Sequence, residues 1–213
     1  MSLPPREKLF GAIQRALDHR GNRRFRQTVE MIVVLKGVDP KSQAGRIREV
    51  VFLPRGRGKD LDVCVVASGD MAEKGKSAGA KRVITPEELQ GLSKKAARRI
   101  AEECDWILVR TDLMSTFGRA LGPALGPRGK APVPLAPTAD VAGMIARYKN
   151  AVVVRAKEQL HVSVPIGTEG MSVEDLAENA ASVLNTLVAK LPEGMNNVDR
   201  IMFKTTMGVP VEV

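Results

Sequence analysis

The sequence predicts a two-domain protein of mixed α/β and α+β class. Residues 1–55 and 151–213 together build a discontinuous α+β domain, and residues 56–150 form an α/β domain inserted between them. Three observations predict it. The middle block alternates short continuous apolar runs with helical segments, as in a sheet covered on both faces. The flanks lose that rhythm and carry longer strands with one helix each. Each flank is marginal for folding alone, whereas together they supply two helices and about five strands. The alternative is one continuous α/β domain with irregular ends. In the split arrangement the chain crosses twice, at Arg55–Gly56 and Asn150–Ala151, a two-strand connection that permits hinge motion.

Leu9, Ile13 and Leu17 recur at four-residue spacing and predict a helix over 5–19. "QTVEMIVVLK" (27–36) is β-branched and reads as a strand; Asp39-Pro40 marks the turn that follows, and "IREVVFLP" (47–54) is a second strand. After the glycine-broken "RGRGKD" (55–60), "LDVCVVA" (61–67) is a buried strand and 70–80 a helix with Asp70 as N-cap. A short strand (81–85) leads into a helix over 86–103, with Thr85 as cap, Pro86 in the first turn and Glu88 completing a capping box. "DWILVRT" (105–111) is a strand, and Asp112 caps a helix over 112–121. The prolines and glycines of "LGPALGPRGKAPVP" (121–134) predict an irregular loop before a helix over 138–149. Residues 151–156 and 159–167 read as a hairpin, and 172–191 as a helix with a continuous apolar stripe. A strand over 199–206 closes the chain.

Aromatic residues make up 3% of the chain, so the core is aliphatic. No run of about 18 apolar residues predicts a membrane span, and "MSLPPREKLF" does not read as a signal peptide. Cys64 and Cys104, each in an apolar run, read as two buried thiols in a reducing cytosol rather than as a disulfide. The net charge of +9 divides as +7 over residues 1–55, +5 over 56–150 and −3 over 151–213. Its densest part is "HRGNRRFRQ", where Phe25 stands inside an arginine cluster. That composition suits stacking on bases with phosphate contacts around them.

The chemistry of catalysis is sparse. His19 and His161 lie far apart and read as solvated and structural, and no spacing fits a metal site. "LPRGRGKD" and "GPALGPRGKA" each lack both the first glycine and the final Ser/Thr of a phosphate-binding loop. A nucleotide-dependent enzyme using the middle domain is the alternative function, and a general polyanion binder is a third. For 121–134, a packed surface loop and a second phosphate-contacting surface both remain open.

Taken together, "RFRQTVEMIVVLKGVDP" (24–40), "LPRGRGK" (53–59), "LGPALGPRGKAPVP" (121–134), "QLHVSVPIG" (159–167) and "TTMG" (205–208) resemble the ribosomal protein L-one family, in its archaeal form. The resemblance covers nearly the whole chain in order. It implies an rRNA-binding outer domain and a Rossmann-like inserted domain that binds no dinucleotide. It also implies a place on the mobile large-subunit stalk beside the tRNA exit site. The implied partners are large-subunit rRNA, exit-site tRNA and the protein's own mRNA, with release of deacylated tRNA and translational repression as roles. The protein is then a monomer off the ribosome, without cofactor, metal, small-molecule substrate or catalytic residues. Phe25, Thr206, Met207 and Gly208 match the family's RNA-contacting positions; Arg24, Thr28, Lys36, Lys204 and Thr205 are expected beside them. Glu30 matches the strand glutamate and is expected to orient basic groups. "DPKSQAG" departs from the family in lacking paired arginines after Asp-Pro. In physical terms, threonine hydroxyls suit ribose 2′-hydroxyls, the Met207 thioether suits a base or sugar face, and Gly208 suits close backbone approach.

Overall fold

Alternation along the first strand and a helical repeat before it set the architecture. The computed structural model describes residues 3–42, 45–156 and 159–213. In chain order its elements are α1 (Arg6–Asp18), β1 (Thr28–Leu35), β2 (Arg48–Phe52), β3 (Val63–Val66), α2 (Asp70–Ser77), β4 (Arg82–Ile84), α3 (Pro86–Gln90), α4 (Lys94–Glu103) and β5 (Trp106–Arg110). There follow α5 (Met114–Leu125), β6 (Val133–Leu135), α6 (Val141–Tyr148), β7 (Ala151–Arg155), β8 (His161–Thr168), α7 (Val173–Val188), β9 (Val198–Thr205) and β10 (Val211–Glu212). Two compact units result, Met1–Lys59 with Asn150–Val213, and Asp60–Lys149.

In the first unit β10-β9-β1-β8 form an antiparallel sheet and β2 pairs with β7. Val29, Met31, Val33 and Leu35 point inward from β1. They meet Leu9, Ile13 and Leu17 of α1 and Leu176, Ala180, Val183 and Leu187 of α7 in one apolar core. Ser172 caps α7 by accepting from the Asp175 N–H at 3.1 Å. The expected hairpin of 151–156 with 159–167 does not form: β7 pairs with β2 and β8 with β1. Both strands are apolar enough to pair with either neighbour, and the partners are long-range ones that local pattern does not reveal.

In the second unit β4-β3-β5-β6 are parallel. One face, through Cys64, Val66, Ile107 and Val109, packs with α3, α4 and α5. Trp106 meets Tyr148 of α6 edge-on at 5.0 Å between ring centres. Several expectations are corrected here. Residues 86–103 make two helices, because Gly91 ends the first and Ser93 caps the second through the Ala96 N–H at 3.2 Å. Gly69, not Asp70, occupies the N-cap of α2, and Asp70 pairs with Lys74 at 2.6 Å. Asp112 lies in a 3-10 turn and holds Arg110 instead of capping α5. The 121–134 stretch is not wholly irregular. Leu121, Ala124 and Leu125 continue the buried stripe, so α5 runs through Pro123, which removes one helical bond near the helix end. Pro134 sits in the edge strand β6, where no ladder partner is lost. Cys64 and Cys104 form a disulfide rather than two thiols. The fold brings their Cα atoms to 5.7 Å, within bridging range, a proximity that spacing along the chain does not reveal.

Candidate nucleic-acid interface

The N-terminal end of β1 gathers three loops of the first unit. The arginine segment enters it, the Thr168–Met171 turn follows its partner β8, and the Thr205–Gly208 turn follows its partner β9. Thr28 stands opposite Thr168 in one ladder. Across the other ladder the Thr28 N–H donates to Thr206 Oγ1 at 3.1 Å, and the Thr206 N–H donates to the Thr28 carbonyl at 3.0 Å.

Gln27 joins the three loops. Its parity is that of the inward positions of β1, and it is fully buried. Its Nε2 donates to the Arg20 carbonyl at 2.9 Å, and its Oε1 accepts from the Met207 N–H at 2.9 Å. The Gln27 N–H donates to Glu169 Oε1 at 2.9 Å, and the Glu169 N–H returns a bond to the Gln27 carbonyl at 3.0 Å. Arg20 adds an ion pair to Glu169 at 3.9 Å. Gln27 and Glu169 are not among the residues that the sequence pattern marks for the site. The available signal was a polar residue on the inward parity of an otherwise apolar strand face.

On this frame the predicted residues take distinct places. Phe25 and Met207 are 52% and 57% exposed, and Val209 is 58% exposed; these are the most exposed large apolar side chains among the described residues. Arg23 and Arg24 are exposed and, among the described residues, have no carboxylate partner; the Arg26 guanidinium lies over Gly170. Lys204 Nζ donates to the Thr206 carbonyl at 3.2 Å, which braces the turn. Glu30 accepts from the Ser163 hydroxyl at 3.3 Å. Three expectations shift. Thr205 is fully buried and supports the turn from below instead of facing a ligand. Gly208 serves close packing inside the protein: a Cβ there would lie 2.4 Å from Thr205 Oγ1 and 3.3 Å from the His19 carbonyl. Lys36 stands at the other end of β1, roughly 26 Å from Thr28 at about 3.3 Å per residue, and pairs with Asp199 at 3.7 Å. His161 pairs opposite Val34 toward that same far end and is exposed.

Arg55, Gly56, Asn150 and Ala151 are all held within the first unit. The Arg55 N–H donates to Asn179 Oδ1 at 3.0 Å, and Asn179 Nδ2 donates to the Gly56 carbonyl at 2.7 Å. The Arg55 guanidinium meets Glu178 at 2.8 Å, and that hydrogen bond and charge raise its affinity for its proton above the ordinary arginine value. Asn150 Oδ1 accepts from the Arg57 N–H at 3.3 Å, and Ala151 is buried opposite Phe52.

The second unit offers a different picture at the place where a doubly wound sheet binds nucleotides, beyond the C-terminal ends of β3 and β5. There Arg110 is spent on Asp112, at 2.6 and 2.5 Å, and on the Ser68 carbonyl at 3.5 Å. In the 121–134 stretch Arg128 pairs with Glu102 at 2.5 Å, and Lys130 Nζ closes the α4 terminus through the Ala101 and Cys104 carbonyls at 3.0 and 2.8 Å. These two cations serve the fold. No group of His, Cys, Asp or Glu among the described residues is arranged to hold a metal ion.

A model of the ribosomal protein L1p/L10e family matches residues 16–209. The chain is similar to proteins named large ribosomal subunit protein uL1 from three archaea. It is 56% identical to that of Staphylothermus marinus over 213 residues, covering 100% of this chain and 99% of the relative. It is 49% identical to that of Hyperthermus butylicus over 215 residues, covering 100% and 99%. It is 50% identical to that of Aeropyrum pernix over 214 residues, covering 97% of each.

Proposed function

The chain belongs to the ribosomal protein L1p/L10e family, and from that premise we propose that it is a structural, non-enzymatic constituent of the large ribosomal subunit. It works in the cytoplasm and binds large-subunit rRNA through the N-terminal end of β1. The observation that carries the reading is the pairing of exposed Phe25 and Met207 with Arg23 and Arg24, which have no carboxylate partner among the described residues, around a hydrogen-bonded frame. Aromatic and thioether faces suit unstacked bases and riboses, arginines suit phosphates, and the Thr206 hydroxyl suits a 2′-hydroxyl. Its site is the mobile stalk beside the tRNA exit site, where it assists release of deacylated tRNA. The same surface recognises a similar fold in its own mRNA and represses translation. Off the ribosome it is a monomer. The Asp60–Lys149 unit moves as a body, with the crossings at Lys59–Asp60 and Lys149–Asn150, beyond the Asn179 and Asn150 hydrogen bonds.

Footprinting on transcribed large-subunit rRNA tests this. One compact protected region, lost with Phe25→Ala, is expected; protection scattered along the rRNA, unchanged in that variant, contradicts it.

A further inference from the structure

The segment Arg55–Lys59 fails as a phosphate loop for a nucleotide, yet the backbones of Arg55, Gly56 and Arg57 are each held by a hydrogen bond. Arg55 and Arg57 are held through their N–H groups by Asn179 and Asn150. Gly56 and Gly58 take left-handed φ of 68° and 74°, which side-chain-bearing residues rarely adopt. Gly58 is pressed on the Thr168–Met171 turn. A Cβ at Gly58 would lie 2.4 Å from Thr168 Oγ1 and 2.9 Å from Met171 Sδ. That turn is the one that carries Arg26 over Gly170 and Glu169 against Gln27. Thr168 in turn faces Thr28, which bonds Thr206. The next residue after Gly58, Lys59, is exposed and has no carboxylate partner among the described residues. A loop held at Arg55–Arg57 and packed through Gly58 on the Thr168–Met171 turn thus leads to an ammonium that has no carboxylate partner among the described residues.

We infer that Lys59 is a further phosphate contact of the RNA surface, presented by the glycine-fixed Arg55–Lys59 loop beside the Thr168–Met171 turn. The inference rests on the rRNA reading given above. The contact is with backbone phosphate, so it adds salt-dependent affinity without base preference. Gly58 is the residue that permits it, because any side chain there meets both Thr168 and Met171.

The test is binding of the full chain to transcribed large-subunit rRNA across a salt series, with melting curves of each variant. Lys59→Gln is expected to reduce the slope of log affinity against log salt by about 0.7–0.9, with an unchanged melting temperature. Lys190→Gln, at the opposite end of α7 and paired with Glu49 at 2.9 Å, is expected to leave the slope as it is. Gly58→Ala is expected to reproduce the Lys59 loss together with a lowered melting temperature. An unchanged slope in Lys59→Gln overturns the inference; if Phe25→Ala still weakens binding, the rRNA reading stands without it. If neither variant changes binding, both fail. A reduced slope in Lys59→Gln with normal binding by Phe25→Ala keeps the Lys59 contact and overturns the placement of the main surface.

Discussion

The two ends of β1 carry the same kinds of residue and use them in opposite ways. At the far end Lys36 meets Asp199 at 3.7 Å, Arg200 meets the same carboxylate group at 3.3 Å, and the Lys36 carbonyl accepts from Asn197 at 3.2 Å. Each of these two cations there has a carboxylate partner within the protein. At the near end Arg23 and Arg24 lack carboxylate partners among the described residues, and Phe25 and Met207 face solvent. The polar groups that are satisfied there, Gln27, Glu169 and Thr206, are the ones that fix the loops. The difference teaches that a functional surface is marked by rigid backbone under unmatched side chains, and that basic composition alone does not mark it. The two glycine-rich basic segments repeat the lesson: Lys130 is consumed by carbonyls, whereas Lys59 has no carboxylate partner among the described residues.

The largest expected effect comes from breaking the frame at the near end. Gln27→Leu removes the acceptor of the Met207 N–H and the donor to the Arg20 carbonyl, two part-buried hydrogen bonds, at a cost of about 0.5–1.5 kcal/mol each. Chemical denaturation should show the loss in stability, and rRNA affinity should fall with it. Phe25→Ala is next: loss of one base-stacking platform should weaken rRNA binding by about 1–3 kcal/mol, while the melting curve stays put because the ring is 52% exposed. Arg24→Gln should lower the salt slope of binding by about 0.7–0.9 with no change in melting temperature. Smallest is Lys36→Gln, which removes a half-exposed surface pair and should change stability by less than about 1 kcal/mol. Filter binding should find rRNA affinity unaltered in that variant, and a drop as large as that of Arg24→Gln would erase the contrast between the two ends.

Much of this was legible in residue order, because local periodicity reports local structure. The apolar spacing of α1, the alternation of β1 and the stripe of α7 all appear as read. What local pattern does not carry is long-range choice. The partners of β7 and β8, the bridge between Cys64 and Cys104, and the passage of α5 through Pro123 each depend on surfaces brought together by the fold. The site divides in the same way. Exposure of Phe25 and Met207 follows from their being apolar residues outside the strand pattern. The burial of Thr205 follows from its parity with Ile201 and Phe203 on β9. The distance of Lys36 from the site follows from counting residues along an extended strand. The Gln27 joint depends on loops 142 and 180 residues away, which no local pattern links, and the packing of Gly208 on the His19 carbonyl is likewise long-range.

The most direct test of the central claim is the affinity of the double variant Phe25→Ala with Met207→Asp for transcribed large-subunit rRNA, measured beside its thermal melting curve. The account predicts at least a hundredfold loss of affinity, about 2.8 kcal/mol or more, with the melting curve of the unaltered protein. Unchanged affinity in a folded double variant would contradict it.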